Sequence, residues 1–140
     1  MSGTSGAPSA EANRYLVAKY GGTAYAVTGP IKVLFLSVVR TANNGTDTEW
    51  STAAGYTAGT GFSGLTMGAP TNNATGAVTA STNAAQITNA PAGTWAGCKA
   101  VDSTGTPKEL SYASVTGGSK AVNLGDTVVV PIGSLTDQMG

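Results

Sequence analysis

The sequence predicts a mainly β protein, a single β-sandwich or jelly-roll-like domain with one short N-terminal helix and a flexible N-terminal arm. Three observations predict it. Seven or eight short apolar runs recur between residues 31 and 132, at the 8–12-residue rhythm of a sandwich. Turn chemistry separates them: Asn43-Asn44-Gly45, Pro70 with Asn72-Asn73, Asn89 with Pro91 and Gly93, Asp102 to Pro107, Gly117-Gly118 and Gly125-Asp126. The chain has 140 residues, the size of one domain.

Taken in order, residues 1–9 are small, polar and glycine-containing, the composition of an arm, and 10–140 form the domain. Ser9 is placed to cap a helix over Ala10–Tyr20, with Glu11 in its first turn and Gly21-Gly22 as a left-handed stop. Leu16 and Tyr20 share one face of that helix. Ile31–Arg40 is apolar on both alternating faces, which marks a core strand. Asp47–Gly61 reads as a long surface loop anchored by Trp50 and Tyr56. Further strands are expected at Phe62–Ala69, Gly76–Ser81, Ala84–Thr88, Thr94–Val101, Glu109–Val115, Lys120–Asn123 and Thr127–Ile132, with Pro131 at a strand end or an edge.

Leu, Ile, Val and Phe together number only 24, but seven basic residues cancel seven acidic ones. A disordered chain would pair that low hydrophobicity with a high net charge. Charged residues are 10% of the chain against a usual ~25%. Zero net charge, with the cations scattered, excludes the basic stripe a nucleic-acid binder needs. It suits a protein that works docked in an assembly rather than a free monomer. No apolar run approaches a membrane span, and the start MSGTSGAPSA lacks the features of a signal peptide. The expectation is synthesis in the cytoplasm, with no membrane partner.

The chain has no histidine, which removes Ser-His-Asp and Cys-His catalysis and histidine-bound zinc. The single cysteine, Cys98, is expected as a small core residue and not as a nucleophile. Asp47 and Glu49, beside Trp50, are the one close carboxylate pair. Glycoside hydrolysis or calcium binding would use such a pair. Solvated loop acids are the plainer reading, so no catalytic residue, metal or cofactor is expected. Asn44-Gly45-Thr46 and Asn73-Ala74-Thr75 match the glycosylation pattern at the frequency chance gives in so Asn- and Thr-rich a chain.

In order along residues 11–137, several pieces resemble a family of small bacteriophage virion proteins, variously tail-fibre-like, minor structural and head decoration proteins. They are Arg14-Tyr15-Leu16 to Gly21-Gly22, the strand Ile31–Leu36, Thr48-Glu49 before Gly55-Tyr56, Gly76–Asn89, Ala92-Gly93-Thr94-Trp95, and the closing Val122–Leu135 with Gly125-Asp126 and Pro131. The small residues Ala96-Gly97-Cys98 stand where the pattern expects larger apolar ones. The resemblance implies a non-enzymatic virion protein on the particle surface, a head decoration protein on the major capsid protein, as a homotrimer. A tail fibre or minor tail protein contacting the host, with a carbohydrate ligand, is the alternative. The expected contact residues are Ser2, Thr4, Ser5 and Pro8 of the arm and Trp50 and Tyr56 of the loop, because aromatic anchors dominate interfaces.

Overall fold

Ile31–Val38, rich in β-branched and large aliphatic residues, forms the strand around which the molecule is built, and its middle residues Val33–Leu36 are buried on both faces, as expected. The computed structural model describes residues 5–139. Ser2 and Thr4 therefore lie outside the described residues. The elements run β1 (Ser5–Gly6), α1 (Ser9–Gly21), β2 (Ile31–Val38), β3 (Thr48–Glu49), β4 (Phe62–Leu65), β5 (Thr71–Asn73) and β6 (Gly76–Ala80). They continue with β7 (Ala85–Ile87), β8 (Gly93–Trp95), β9 (Gly97–Val101), β10 (Glu109–Ser114), β11 (Lys120–Val122), β12 (Val128–Val130) and β13 (Thr136–Met139). The fold is mainly β and sandwich-like.

The largest sheet is antiparallel in the order β1-β10-β9-β2-β3, with β4 also on β2. On one edge of β2, β4 covers Ile31–Val33 and β3 covers Leu36 and Val38. Three small sheets, β7–β12, β8–β11 and β5–β6–β13, complete the fold. The core lies between: β2 and β9 supply Val33, Phe35, Cys98 and Ala100, while β7, β11 and β12 supply Ala85, Ile87, Val122, Val128 and Val130. Pro131 directly follows β12, where its missing N–H breaks no ladder bond.

The expected strand Thr94–Val101 is two strands. The chain leaves β8, which pairs with β11, and turns at Ala96 into β9, which pairs with β2 and β10. Ala96 ties the corner by donating its N–H to Leu36 and accepting from Val115. Gly97 explains the small residues there: a Cβ would sit 2.2 Å from the Ala113 carbonyl oxygen and 2.4 Å from a Val39 methyl. Close strand packing, not a missing partner, forbids a larger side chain.

The expected free arm is docked over its described part. Ser5 and Gly6 pair with Ala113 and Tyr112 of β10, and Pro8 is buried. Pro8, not Ser9, holds the N-cap position of α1, with no side-chain cap bond; its carbonyl accepts from the N–H groups of Glu11 and Ala12. The C-terminal stop is as expected, Gly22 adopting φ 72°.

Candidate functional site

The loop expected to present Trp50 and Tyr56 to a partner stays at the surface, as its composition suggests, but turns both rings inward. Trp50 is 6% exposed and Tyr56 1%, and both belong to the hydrophobic core. Their rings meet Phe35 at centroid distances of 5.3 and 6.2 Å and each other at 5.3 Å, in tilted and edge-on geometries that aromatic pairs favour. The Trp50 indole N–H donates to the Thr94 carbonyl at 2.8 Å. The Tyr56 hydroxyl accepts from the Phe35 N–H at 2.9 Å and donates to Glu49 Oε1 at 2.8 Å. Burial, and then the Glu49 carboxylate, push the Tyr56 phenol far above its ordinary value, so it stays a neutral donor. As placed, these two residues hold the core and do not offer themselves to a partner.

Asp47 and Glu49, read as solvated loop acids, are structural as well. The Asp47 side chain is fully buried and takes the Arg40 guanidinium on both carboxylate oxygens, at 2.5–3.2 Å, and the Arg40 N–H at 2.8 Å. Arg40 also reaches Glu109 at 2.5 Å, and Lys99 bridges Glu109 at 2.9 Å and Asp47 at 3.7 Å. Burial opposes the Asp47 and Glu109 charges, but hydrogen bonds and the charges of Arg40 and Lys99 hold both carboxyls below their ordinary values. Two cations and two anions thus form a neutral cluster. The cluster ties the Arg40–Asp47 turn to β9 and β10.

Asp102, read as a hairpin-turn residue, is another buried hub. Burial works against its charge, and the N–H of Lys108 (2.7 Å), the Thr104 hydroxyl (2.7 Å), the N–H of Thr28 (3.3 Å) and the Lys108 ammonium (3.3 Å) outweigh that, holding its carboxyl well below the usual range. Cys98 is fully buried, and burial raises its thiol to about 12, so the expectation of an inert core cysteine stands. Among the described residues no three His, Cys, Asp or Glu groups converge as a metal site.

The feature the sequence reading missed is the orientation of α1. Its one buried residue is a glutamate, Glu11, which takes the Arg14 guanidinium at 2.6 Å and the Tyr25 hydroxyl. Its apolar residues face out: Leu16 is 57% exposed, Tyr20 78%, and Val17 is exposed beside them. The i, i+4 pairing of Leu16 and Tyr20 was visible in sequence, but not that it pointed to water. Under the helix, a cleft of about 250 Å³ separates Glu11 and Tyr15 from Ala77 and Asp137 of the β6–β13 sheet. Three more large apolar residues are uncovered around β12: Leu124 (71% exposed) in the turn before it, Val129 on its outer face and Ile132 (68% exposed) in the turn after it. No family model, curated protein or solved structure matches the chain.

Proposed function

We propose that the chain is a structural protein of a virus particle that docks on the outer face of the capsid shell, as a head decoration protein on the major capsid protein. The reading joins the sequence resemblance to one observation, the exposure of Leu124, Val129 and Ile132 along β12 and its two flanking turns on a molecule without net charge. Soluble monomers scatter such residues singly; here one strand and its two turns carry three. Transfer of a large aliphatic side chain from water is worth about 1.5–3 kcal/mol when complete, so these residues supply a few kcal/mol per copy. The cost of association takes most of that for one copy, and many copies on a regular shell, each linked to its neighbours, recover it. No catalytic role is proposed: the buried acids are held ionised in closed clusters, and Cys98 is inert.

The test is to count copies per purified particle by quantitative mass spectrometry, and to bind the recombinant chain to undecorated heads. Hundreds of copies that sediment with heads, lost with Leu124→Asp and Ile132→Asp, are the expected result. A few copies that track with tails would replace the proposal by the tail-fibre alternative, and binding unaffected by both substitutions would remove these residues from it.

A further inference from the structure

The segment Ser5–Tyr25 is tied together by its own side chains. Within it, Glu11 takes both Arg14 and the Tyr25 hydroxyl, and the Tyr15 and Tyr25 rings stack at 4.9 Å. Tyr25 thereby folds the chain beyond the helix back onto the helix. Three residues later the chain belongs to the body: the Thr28 N–H donates to Asp102 at 3.3 Å, and its carbonyl accepts from the Ser103 N–H at 2.8 Å. Between the two anchors lie only Ala26 and Val27, both exposed and without regular structure.

Among the described residues, this N-terminal unit is attached to the body by the short β1–β10 pairing, the Ser9 N–H donated to the Asn43 carbonyl at 3.0 Å, the Arg14 guanidinium on the Glu109 carbonyl at 3.3 Å, buried Pro8 and the packing of α1 on β10. Beside it the cleft of about 250 Å³ leaves the helix incompletely packed, with the like charges of Glu11 and Asp137 on its two walls. Meanwhile Leu16, Val17 and Tyr20 remain in water on the outer side of the helix.

We infer that the N-terminal units are exchanged between copies of this chain, each Ser5–Tyr25 unit adding its strand to β10 of a neighbour through a hinge at Ala26–Val27. The occupant of the β10 edge is then the same segment, with the same register, supplied by a second chain. The contacts made are those of the closed form, so exchange between copies is thermodynamically inexpensive. Exchange also brings a second body beside the unit, and the inference includes that Leu16 and Tyr20, exposed on the outer face of α1, pack against it. The inference does not rest on the virion reading and is tested on the purified chain.

Two singly substituted chains, Ser5→Cys and Ala113→Cys, are refolded together and oxidised. Both carry Cys98→Ala, because Cys98 faces Ala113 across the β9–β10 ladder. Ser5 and Ala113 are register partners, a placement compatible with a disulfide. In a closed monomer neither cysteine meets its partner; exchange joins unlike chains into a reducible species of twice the 13.7 kDa chain mass. Light scattering of the unsubstituted chain is the second measurement. A multiple of the chain mass that falls to a single chain with Leu16→Asp and Tyr20→Asp is expected. The unlike-chain product failing to form while the double variant Ser5→Cys/Ala113→Cys closes within one chain would overturn the inference. A single-chain mass at every concentration would overturn it as well.

Discussion

Removing one oxygen atom, in Tyr56→Phe, separates a structural role for this residue from a role at an interface. The Tyr56 hydroxyl fills a gap in the β2 ladder. On that edge β4 stops at Val33 and β3 begins at Leu36, which leaves the N–H and carbonyl of Phe35 without a strand partner. The carbonyl is satisfied by the Trp50 N–H at 2.9 Å and the N–H by the Tyr56 hydroxyl at 2.9 Å. Phe35 is fully buried, so no water replaces the hydroxyl. A buried donor left unpaired costs about 1–3 kcal/mol. Glu49 loses a donor too, but it keeps the Gly59 N–H at 2.7 Å and is partly exposed, so its share is small. The ring stays, and no cavity opens. The total is about 1–3 kcal/mol, a drop of roughly 1 M in the urea midpoint. Hydrogen exchange should show the Phe35 amide losing protection while the amides paired across β2–β9 keep theirs. A midpoint within about 0.3 M of the parent, with Phe35 still protected, would refute the reasoning.

Three further outcomes follow from the buried ionisable groups. Asp102→Asn should cost about 1.5–3 kcal/mol, the worth of hydrogen bonds to a charged acceptor, read by urea unfolding at neutral pH. The carboxyls of Asp102, Asp47 and Glu109 lie below their unfolded values, so their contribution is complete above about pH 4–4.5 and is lost as pH falls further; the Asp102→Asn chain should show a shallower loss of stability between pH 4 and 2. Asp137 runs the other way, because burial and the nearby Glu11 charge raise its carboxyl and its charge opposes folding at neutral pH; Asp137→Asn should raise the urea midpoint at pH 7, a gain that vanishes once the parent carboxyl is protonated. Cys98, its thiol at about 12, should react with an aromatic disulfide reagent only when urea unfolds the chain; fast reaction in the native state would contradict its place in the core.

Those features were legible in sequence whose signal is local. β2 announces itself by apolar residues on both faces, Gly21-Gly22 by the need for a left-handed residue at a helix end, and Pro131 by its missing donor. What was hidden depends on residues distant in sequence. Asp47 reads as a loop acid until Lys99 and Glu109, from β9 and β10, come beside it, and Asp102 reads as a turn until Thr28 and Lys108 converge on it. The Asp47–Gly61 segment is the surface loop its composition suggests, residues 51–55 and 57–60 being exposed, with Trp50 and Tyr56 anchoring it in the core. Strands β5 and β13 carry no apolar alternation and were unreadable; their pairing with β6 supplies the pattern. Ala96 gives no sign of the sheet change, which follows from where β2 and β11 lie.

The position of the charges bears most directly on what the surface does. Arg14, Arg40, Lys99 and Lys108 pair with Glu11, Asp47, Glu109 and Asp102, and these pairs lie in or near the interior. Of the seven cations in the sequence, that leaves Lys19, Lys32 and Lys120 without a salt bridge among the described residues, and Lys19 lies 5.2 Å from the Tyr20 ring centroid. The low charge of the composition therefore understates how neutral the exterior is. Such a surface has little to steer a charged substrate or to repel a second copy of itself. It is instead covered by Thr, Ser, Asn and Gly and interrupted by the outer face of α1 and the exposed apolar residues around β12. Weak repulsion and exposed apolar residues act in the same direction, toward association.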